Sequence, residues 1–354
     1  MLAYPRCWRN DLNLANNDMP GIARELRNAR RLLVIKPSSL GDIVHALPAV
    51  ALIKSAMPEL EIRWVANEEF APLLHGNTDI DEVIVFPRSR MRGPLSPFRF
   101  LHWSKILSQP EAPDLVIDFQ GLFRSGLMAS RSGAAKIFGF SDAREFAGIF
   151  HHQRVDVDSN AHAVDRYLEV VRALGIQLPD AREGLCFKLP LERPENPPSE
   201  GFVLLHPFSR GSGKSLSVDS VYTFCEAMGS CPVVLVGRGG PTIEALPGNA
   251  HNWINATGFG QLAWLMKNAL FTVSVDSGPA HMAAALGENM VSIHGWSDPL
   301  KVGPYRQGAW VWKSGKLTKA GAVEPVLART QGNLPNVEQI RELALNVRKL
   351  AGLP

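Results

Sequence analysis

A chain of 354 residues, 45% of them apolar, is too long for one ordinary hydrophobic core and suits two domains of about 150 residues each. No apolar run reaches the ~18 residues of a membrane span, and Arg9, Asn10, Asp11, Asn16, Asn17 and Asp18 break any apolar centre of a secretory signal, so a soluble cytoplasmic protein is expected. A net charge of +3 is too small to imply a nucleic-acid partner, and Cys7, Cys186, Cys225 and Cys231 form no Cys-X-X-Cys pair, so reduced thiols are expected in place of a zinc site or a disulfide framework.

Residues 1–30 carry only a weak helical pattern, from Ile22 to Leu26, and read as an extension outside the core. Arg31 to Lys36 is a continuous apolar strand of the kind a parallel sheet buries on both faces. A Gly-containing turn, Pro37 to Asp42, leads into a helix over 43–57. Strands over 62–66, 82–86 and 115–118, with a short helix over 68–74, continue the alternation, and a helix over 162–174 closes the first half. Four prolines between Lys188 and Gly201 mark a linker, placed at 189–201. The pattern then restarts, with strands over 202–206, 233–236, 271–275 and 290–294 and helices over 221–228, 262–270 and 282–286. A last helix, capped by Asn336 and apolar at Val337, Ile340, Leu343, Val347 and Leu350, is long enough to pack on either half, the N-terminal one included. Strands alternating with helices predict an α/β protein of two doubly wound, Rossmann-like domains, 31–188 and 202–335, facing a central cleft, with ligands at the C-terminal strand ends.

Four stretches carry chemistry. In Ser38-Ser39-Leu40-Gly41-Asp42 the hydroxyls and the acid suit a helix cap, and a carboxylate at a strand's C-terminal end also suits a general base; His45, one turn on, is a weaker candidate. Ser209-Arg210-Gly211-Ser212-Gly213-Lys214-Ser215 lacks the first glycine of a P-loop because position 208 is Phe, yet a lysine on a Gly-Ser loop can place its ammonium on a diphosphate. Gly237-Arg238-Gly239-Gly240 permits close backbone approach, and Glu244 beyond it can accept ribose hydroxyls. Asp276-Ser277-Gly278-Pro279-Ala280-His281 joins an acid, a hydroxyl, a close-approach glycine and an imidazole beside a helix N-terminus, a place for a phosphate. Gly295-Trp296-Ser297-Asp298-Pro299 and Gly303-Pro304 are expected to shape the same pocket. From Pro87 to Lys105, Arg88, Arg90, Arg92, Arg99 and Lys105 alternate with Phe98, Phe100, Leu101 and Trp103 without one acidic residue, which suits either a solvated loop or an anionic amphiphile at a membrane surface. His151-His152 alone is not a metal site, and no metal-ligand spacing appears.

Lys36 to Pro48 and Val275 to His281, in that order and spacing, resemble the two signatures of the ADP-heptose lipopolysaccharide heptosyltransferases. Ile117-Asp118-Phe119-Gln120-Gly121-Leu122, Ala143-Arg144-Glu145 and His162-Ala163-Val164-Asp165-Arg166 resemble the heptosyltransferase I branch, and the resemblance covers roughly residues 31–350. It implies a GT-B fold and an inverting transfer of L-glycero-D-manno-heptose from ADP-heptose to the Kdo region of a lipid A precursor, with no metal or other cofactor. Asp42 is then the general base. Ser38, Ser39, Gly41, Ser209, Lys214, Glu244, Phe259, Asp276, Ser277, Gly278, Pro279, Ala280 and His281 bind the donor, and Arg90, Arg92, Gln120, Arg124 and Arg144 bind the anionic acceptor. Peripheral contact with the inner face of the inner membrane is implied, and a monomer is expected, with the oligomeric state left open. The chain departs from the family where Ser215-Leu216-Ser217 follows the loop lysine in place of a basic or polar residue and Trp-Pro, and where Trp296 stands for a small residue or proline. A heptose or protein acceptor, or a GT-B nucleotide-sugar epimerase or hydrolase, is the alternative.

Overall fold

The computed structural model describes residues 26–179, 185–211 and 213–354, and the chain divides into two compact units, Met1–Lys188 and Leu189–Pro354. Expectations that fall on Cys7, on the helical pattern from Ile22 to residue 25 and on Ser212 lie outside the described residues. The described end of the N-terminal extension belongs to the core, contrary to the sequence expectation: Leu26 and Ala29 are both buried. Cys225 and Cys231 are free and buried, but Cys186 is disulfide-bonded. Wide spacing along the chain misleads here, because proximity of the two Cα atoms decides whether a disulfide forms.

The first unit runs β1 (Arg31–Ile35), α1 (Leu40–Ala56), β2 (Glu61–Asn67), α2 (Ala71–Leu74), β3 (Glu82–Phe86), α3 (Ser96–Trp103), β4 (Leu115–Asp118), α4 (Phe123–Arg131), β5 (Lys136–Phe140), β6 (Gln153–Val155) and α5 (Ala163–Ala173). Its six strands are all parallel, in the order β3-β2-β1-β4-β5-β6. The apolar run Leu32 to Ile35 is completely buried because helices cover both faces of the central strands. The chain winds outward from β1 to β3, then returns to β4 on the other side, so the crevice between the C-terminal ends of β1 and β4 is a topological switch point.

The second unit runs β7 (Val203–His206), α6 (Val218–Ala227), β8 (Val233–Gly237), β9 (Ala250–Ile254), α7 (Phe259–Asn268), β10 (Phe271–Val275), α8 (Gly278–Leu286), β11 (Met290–His294), α9 (Pro299–Val302), β12 (Trp310–Lys313), β13 (Lys316–Lys319), α10 (Pro325–Arg329) and α11 (Val337–Leu350). The strand order is β13-β12-β11-β10-β7-β8-β9, parallel throughout except for the β12–β13 hairpin. Here the switch point lies between β7 and β10. Helix α11 lays Ile340, Leu343, Ala344 and Val347 into the same core as Val221 and Phe224 of α6, and Arg348 donates to the Ala227 carbonyl at 3.2 Å. Its apolar face thus packs within the core of the second unit.

The proline-rich segment after Lys188 has no regular secondary structure. Within the first unit, the Lys188 ammonium bonds Thr78 Oγ1 at 2.9 Å and pairs with Asp79, and Asn77 donates to the Lys188 carbonyl. Within the second, Glu192 N–H donates to Gly260 O at 3.1 Å.

Candidate active site

In the first unit Asp42 is the third residue of α1, with Ser39 as the N-cap. Its Oδ2 accepts from the Ser39 backbone N–H at 3.0 Å and from Ser39 Oγ at 2.7 Å, so the acid ties the turn as well as facing outward with 43% of its side chain exposed. The capping role and the general-base role are therefore compatible at one residue. Lys36 lies 4.0 Å from the same oxygen, and its side chain is buried. Burial pushes the Lys36 ammonium below its ordinary pKa, opposed by Asp42 and Asp118 and reinforced by Arg144 and Arg166. Its Nζ also lies 5.7 Å from the Tyr167 ring centroid. Burial, with Asp42 nearby, drives the Tyr167 hydroxyl well above its ordinary pKa, so it stays protonated. His45 is buried and meets the His162 ring edge-on at 5.4 Å, the place of a core histidine.

The switch point joins the turn after β1 to the loop after β4: Ser38 N–H donates to Gln120 Oε1 at 3.3 Å. Sequence reasoning missed what holds that loop. Asp118 is fully buried; its Oδ1 accepts from Gln120 and Gly121 N–H, each at 3.0 Å, and its Oδ2 meets Ser125 Oγ and His151 Nε2, each at 3.0 Å. His151 fits only because position 139 is glycine, where a Cβ would lie 2.2 Å from the imidazole. Arg144 N–H then bonds Gly121 O at 2.8 Å, which brings Arg144 to the same loop. Arg166, which the sequence marks only as part of a family motif, pairs with Asp142 at 2.8 Å over the Phe140 ring. Arg124 stacks on Phe86 at 5.8 Å. Arg90 and Arg92 are exposed, and their carbonyls both accept from Arg99.

In the second unit the loop after β7 is closed by Ser215, whose Oγ accepts from Ser209 N–H at 3.0 Å and donates to Ser209 O at 3.1 Å. Leu216 is buried in the core, and Ser217 caps α6 by accepting from Ser220 N–H. The unusual Ser-Leu-Ser triplet is thus a closing clasp, an anchor and a cap. Lys214 reaches the other side of the switch point, its Nζ 3.3 Å from Asp276 Oδ2 after β10. These two line a cavity with Gly213, Gly295, Trp296 and Leu334. The Asp276 carboxyl sits below its ordinary pKa: burial opposes ionisation, but His294, His281, Lys214 and a bond from Ser297 outweigh it.

Helix α8 begins at Gly278, four residues before the expected start. Pro279 is tolerated in its first turn because the N–H it lacks would have no intrahelical partner. Ala280 and His281 N–H groups point back to Ser277 O, which leaves Ser277 and Gly278 as the turn's candidate N–H donors. Two buried imidazoles that the sequence did not single out brace this region. His206 Nδ1 lies 3.1 Å from Ser274 Oγ and 3.3 Å from Ser277 Oγ. His294 joins Ser292 Oγ at 2.7 Å to Ser297 Oγ at 2.9 Å. Burial lowers both to a pKa of about 4, so both are neutral at neutral pH.

Beyond β8, Gly239 N–H donates to Asn255 Oδ1 at 2.8 Å, and Arg238 lies 5.5 Å over the Phe259 ring. Gly240 has a φ of +97°, and a Cβ there would fall 2.5 Å from Phe208. Glu244 is exposed and its carbonyl accepts from the Tyr222 hydroxyl. The geometry thus brings together Lys214, Asp276, Ser277, Gly278 and His281, and leaves Arg238 and Phe259 as a separate pair.

Two doubly wound units, with a carboxylate at one switch point and an ammonium-lined cavity at the other, form the GT-B architecture of nucleotide-sugar transferases. The model of glycosyltransferase family 9 (heptosyltransferase) matches residues 104–324, more than half of the chain, and the chain belongs to that family. It is 27% identical over 300 residues to lipopolysaccharide heptosyltransferase 1 of Salmonella typhimurium, covering 78% of this chain and 91% of that protein. Among solved structures it is similar to the E. coli heptosyltransferase WaaC with ADP, at a TM-score of 0.67 and 23% identity over 79% of this chain and 92% of that one. E. coli ADP-heptose lipopolysaccharide heptosyltransferase II is similar at a TM-score of 0.65 and 20% identity, over 89% and 99% of the two chains.

Proposed function

We propose that this protein is an inverting transferase that moves L-glycero-D-manno-heptose from ADP-heptose to the Kdo region of a lipid A precursor. The observation that carries the proposal is the Lys214–Asp276 pair beside the N-terminus of α8 at the β7/β10 switch point. It presents an ammonium, two backbone N–H donors and a helix N-terminus to one anionic ligand. Relatives named for lipopolysaccharide heptosyltransfer and a structural neighbour solved with ADP support the choice of donor and acceptor.

In this reaction Asp42 accepts the proton of the acceptor hydroxyl as that oxygen attacks the anomeric carbon. The bond from the anomeric carbon to the ADP phosphate oxygen breaks, and the electron pair leaves with ADP. Lys214 and the Ser277 and Gly278 N–H groups stabilise the charge gathered on the diphosphate. Glu244 and Phe259 are assigned to the nucleoside of the donor, and Ser38, Ser39 and Gly41 to its sugar. Arg144 and Arg166, which with Asp42 act electrostatically on the buried Lys36 ammonium, suit the carboxylates of Kdo. Gln120 and Arg124 border the same loop. No metal or cofactor is part of the proposal.

A lipid acceptor also requires a membrane surface. From Pro87 to Lys105 the chain exposes Arg88, Arg90, Arg92, Arg99 and Lys105 beside Leu95, Phe98 and Leu101, which are 56%, 71% and 44% exposed, and contains no acidic residue. Cations next to exposed apolar side chains favour an anionic bilayer. Among the described residues no helix is long and apolar enough to cross a membrane, and the proposed association is peripheral, by a cytoplasmic monomer.

The test is ADP release from ADP-heptose with and without Kdo-lipid A. Release that depends on the lipid is the expected result. Release without acceptor points to a hydrolase or epimerase and overturns the proposal, and so does release that requires a heptosylated lipid or a protein in place of Kdo-lipid A.

A further inference from the structure

Trp296 has no part in the scheme above, yet its placement is specific. The indole is 58% exposed, on the loop between β11 and α9, and the Lys214 Nζ lies 4.5 Å from its ring centroid. Resting on the assignment of Lys214 to the donor, we propose that Trp296 is a positioning residue that holds the Lys214 ammonium in place for the donor diphosphate.

Lys214 needs such a support. It is a long side chain on a loop with two glycines at positive φ, Gly211 at +111° and Gly213 at +72°. A flexible ammonium must be ordered when ligand binds, and ordering it beforehand improves affinity. Asp276 Oδ2 gives one point of attachment at 3.3 Å, and one point leaves the direction of the side chain open. The ring face of Trp296 gives the second, through the attraction of a cation to an aromatic quadrupole. A cation held on a ring face keeps N–H groups for phosphate oxygens, whereas a second carboxylate would compete with them.

The platform itself is fixed from beneath. Lys313, at the end of β12, is fully buried, and its ammonium donates to Gly295 O at 2.5 Å and Ser297 O at 2.8 Å, the carbonyls on either side of Trp296. Burial lowers the Lys313 pKa, opposed by Asp298 and Asp276. Ser297 Oγ is held in turn by His294 Nδ1 at 2.9 Å. An exposed aromatic on a backbone pinned at both neighbours is placed to meet something, and Lys214 is what it meets.

The experiment is calorimetric titration of ADP into the wild type, Trp296→Phe, Trp296→Leu, Lys214→Met and the Trp296→Leu/Lys214→Met double variant. Thermal unfolding of each variant confirms the fold, which an exposed side chain should not disturb. Leucine keeps apolar bulk and removes the ring face, so Trp296→Leu weakens ADP binding about fivefold, within the range of cation–π attraction, and Trp296→Phe stays within about twofold of wild type. In the Lys214→Met background Trp296→Leu has no further effect. Unchanged affinity in Trp296→Leu overturns the inference, and so does an equal loss in the Lys214→Met background, since the indole would then act on the ligand directly. A wild type that does not bind ADP overturns the donor assignment and the inference with it, a result distinguishable from wild-type binding that Trp296→Leu leaves intact.

Discussion

Acid should destabilise the second unit because of two histidines. His206 and His294 are buried and held at a pKa of about 4, against 6.5 for an ordinary imidazole. A folded-state pKa below the unfolded one means that, between pH 6.5 and 4, the unfolded chain binds more protons, so stability falls as pH falls through that window and levels off below it. At pH 5 each imidazole disfavours the folded state by about 2 kcal/mol relative to pH 7, or about 4 kcal/mol for both if they act independently. Asp276, whose carboxyl is also below its ordinary pKa, works in the same direction at more acid pH, as folded-state ionisation is lost. In a unit of this size the two imidazoles correspond to a fall in unfolding midpoint of about 8 to 16 °C. Scanning calorimetry from pH 7 to pH 5 measures it, with His206→Asn as the control because asparagine keeps a polar group near Ser274 and Ser277 but does not titrate. The variant should lose about half of the pH dependence. A midpoint that is flat across the window, or an identical slope in His206→Asn, refutes the reasoning.

Two further outcomes follow from the geometry. Gly240→Ala forces a Cβ to within 2.5 Å of Phe208 at a φ of +97°, which should destabilise the second unit by about 1–3 kcal/mol in chemical denaturation and weaken ADP binding, whereas Gly239→Ala, where no atom lies within 4 Å, carries only the backbone strain of its positive φ. Phe98→Asp with Leu101→Asp should abolish sedimentation with phosphatidylglycerol vesicles while ADP affinity stays at the wild-type value; equal sedimentation with neutral phosphatidylcholine vesicles would count against an electrostatic contact.

Much of the fold was legible because buried parallel strands must be apolar on both faces. Leu32–Ile35, Val203–Leu205 and Phe271–Val275 therefore announce themselves. The edges do not. β6 exposes Gln153 and Arg154 within only three residues, β9 reads Ala-His-Asn-Trp-Ile, and β5 carries an internal glycine whose reason, the His151 ring, lies twelve residues away. The site was legible in the same measure. Turn chemistry points to Asp42 and to Asp276–His281, although an acid and hydroxyls between a strand and a helix serve equally as a helix cap, as Asp42 and Ser39 do here. The supports were hidden because they join distant positions: Asp118 with His151, His206 with Ser274, and Lys313 with the carbonyls around Trp296. The position of Arg144 follows from a backbone bond to Gly121 that no periodicity signals.

In the proposed reaction the base is Asp42 and the leaving-group site is formed by Lys214 and Asp276. Asp42→Asn separates them most directly, since asparagine keeps the size of the side chain and an oxygen that can accept from Ser39. With ADP-heptose and Kdo-lipid A, heptose transfer by this variant should fall by a factor of about 10² to 10⁴, the usual contribution of a general base. ADP affinity measured by calorimetry should remain at the wild-type value. Near-normal transfer by Asp42→Asn, with the protein folded and binding ADP, would contradict the account.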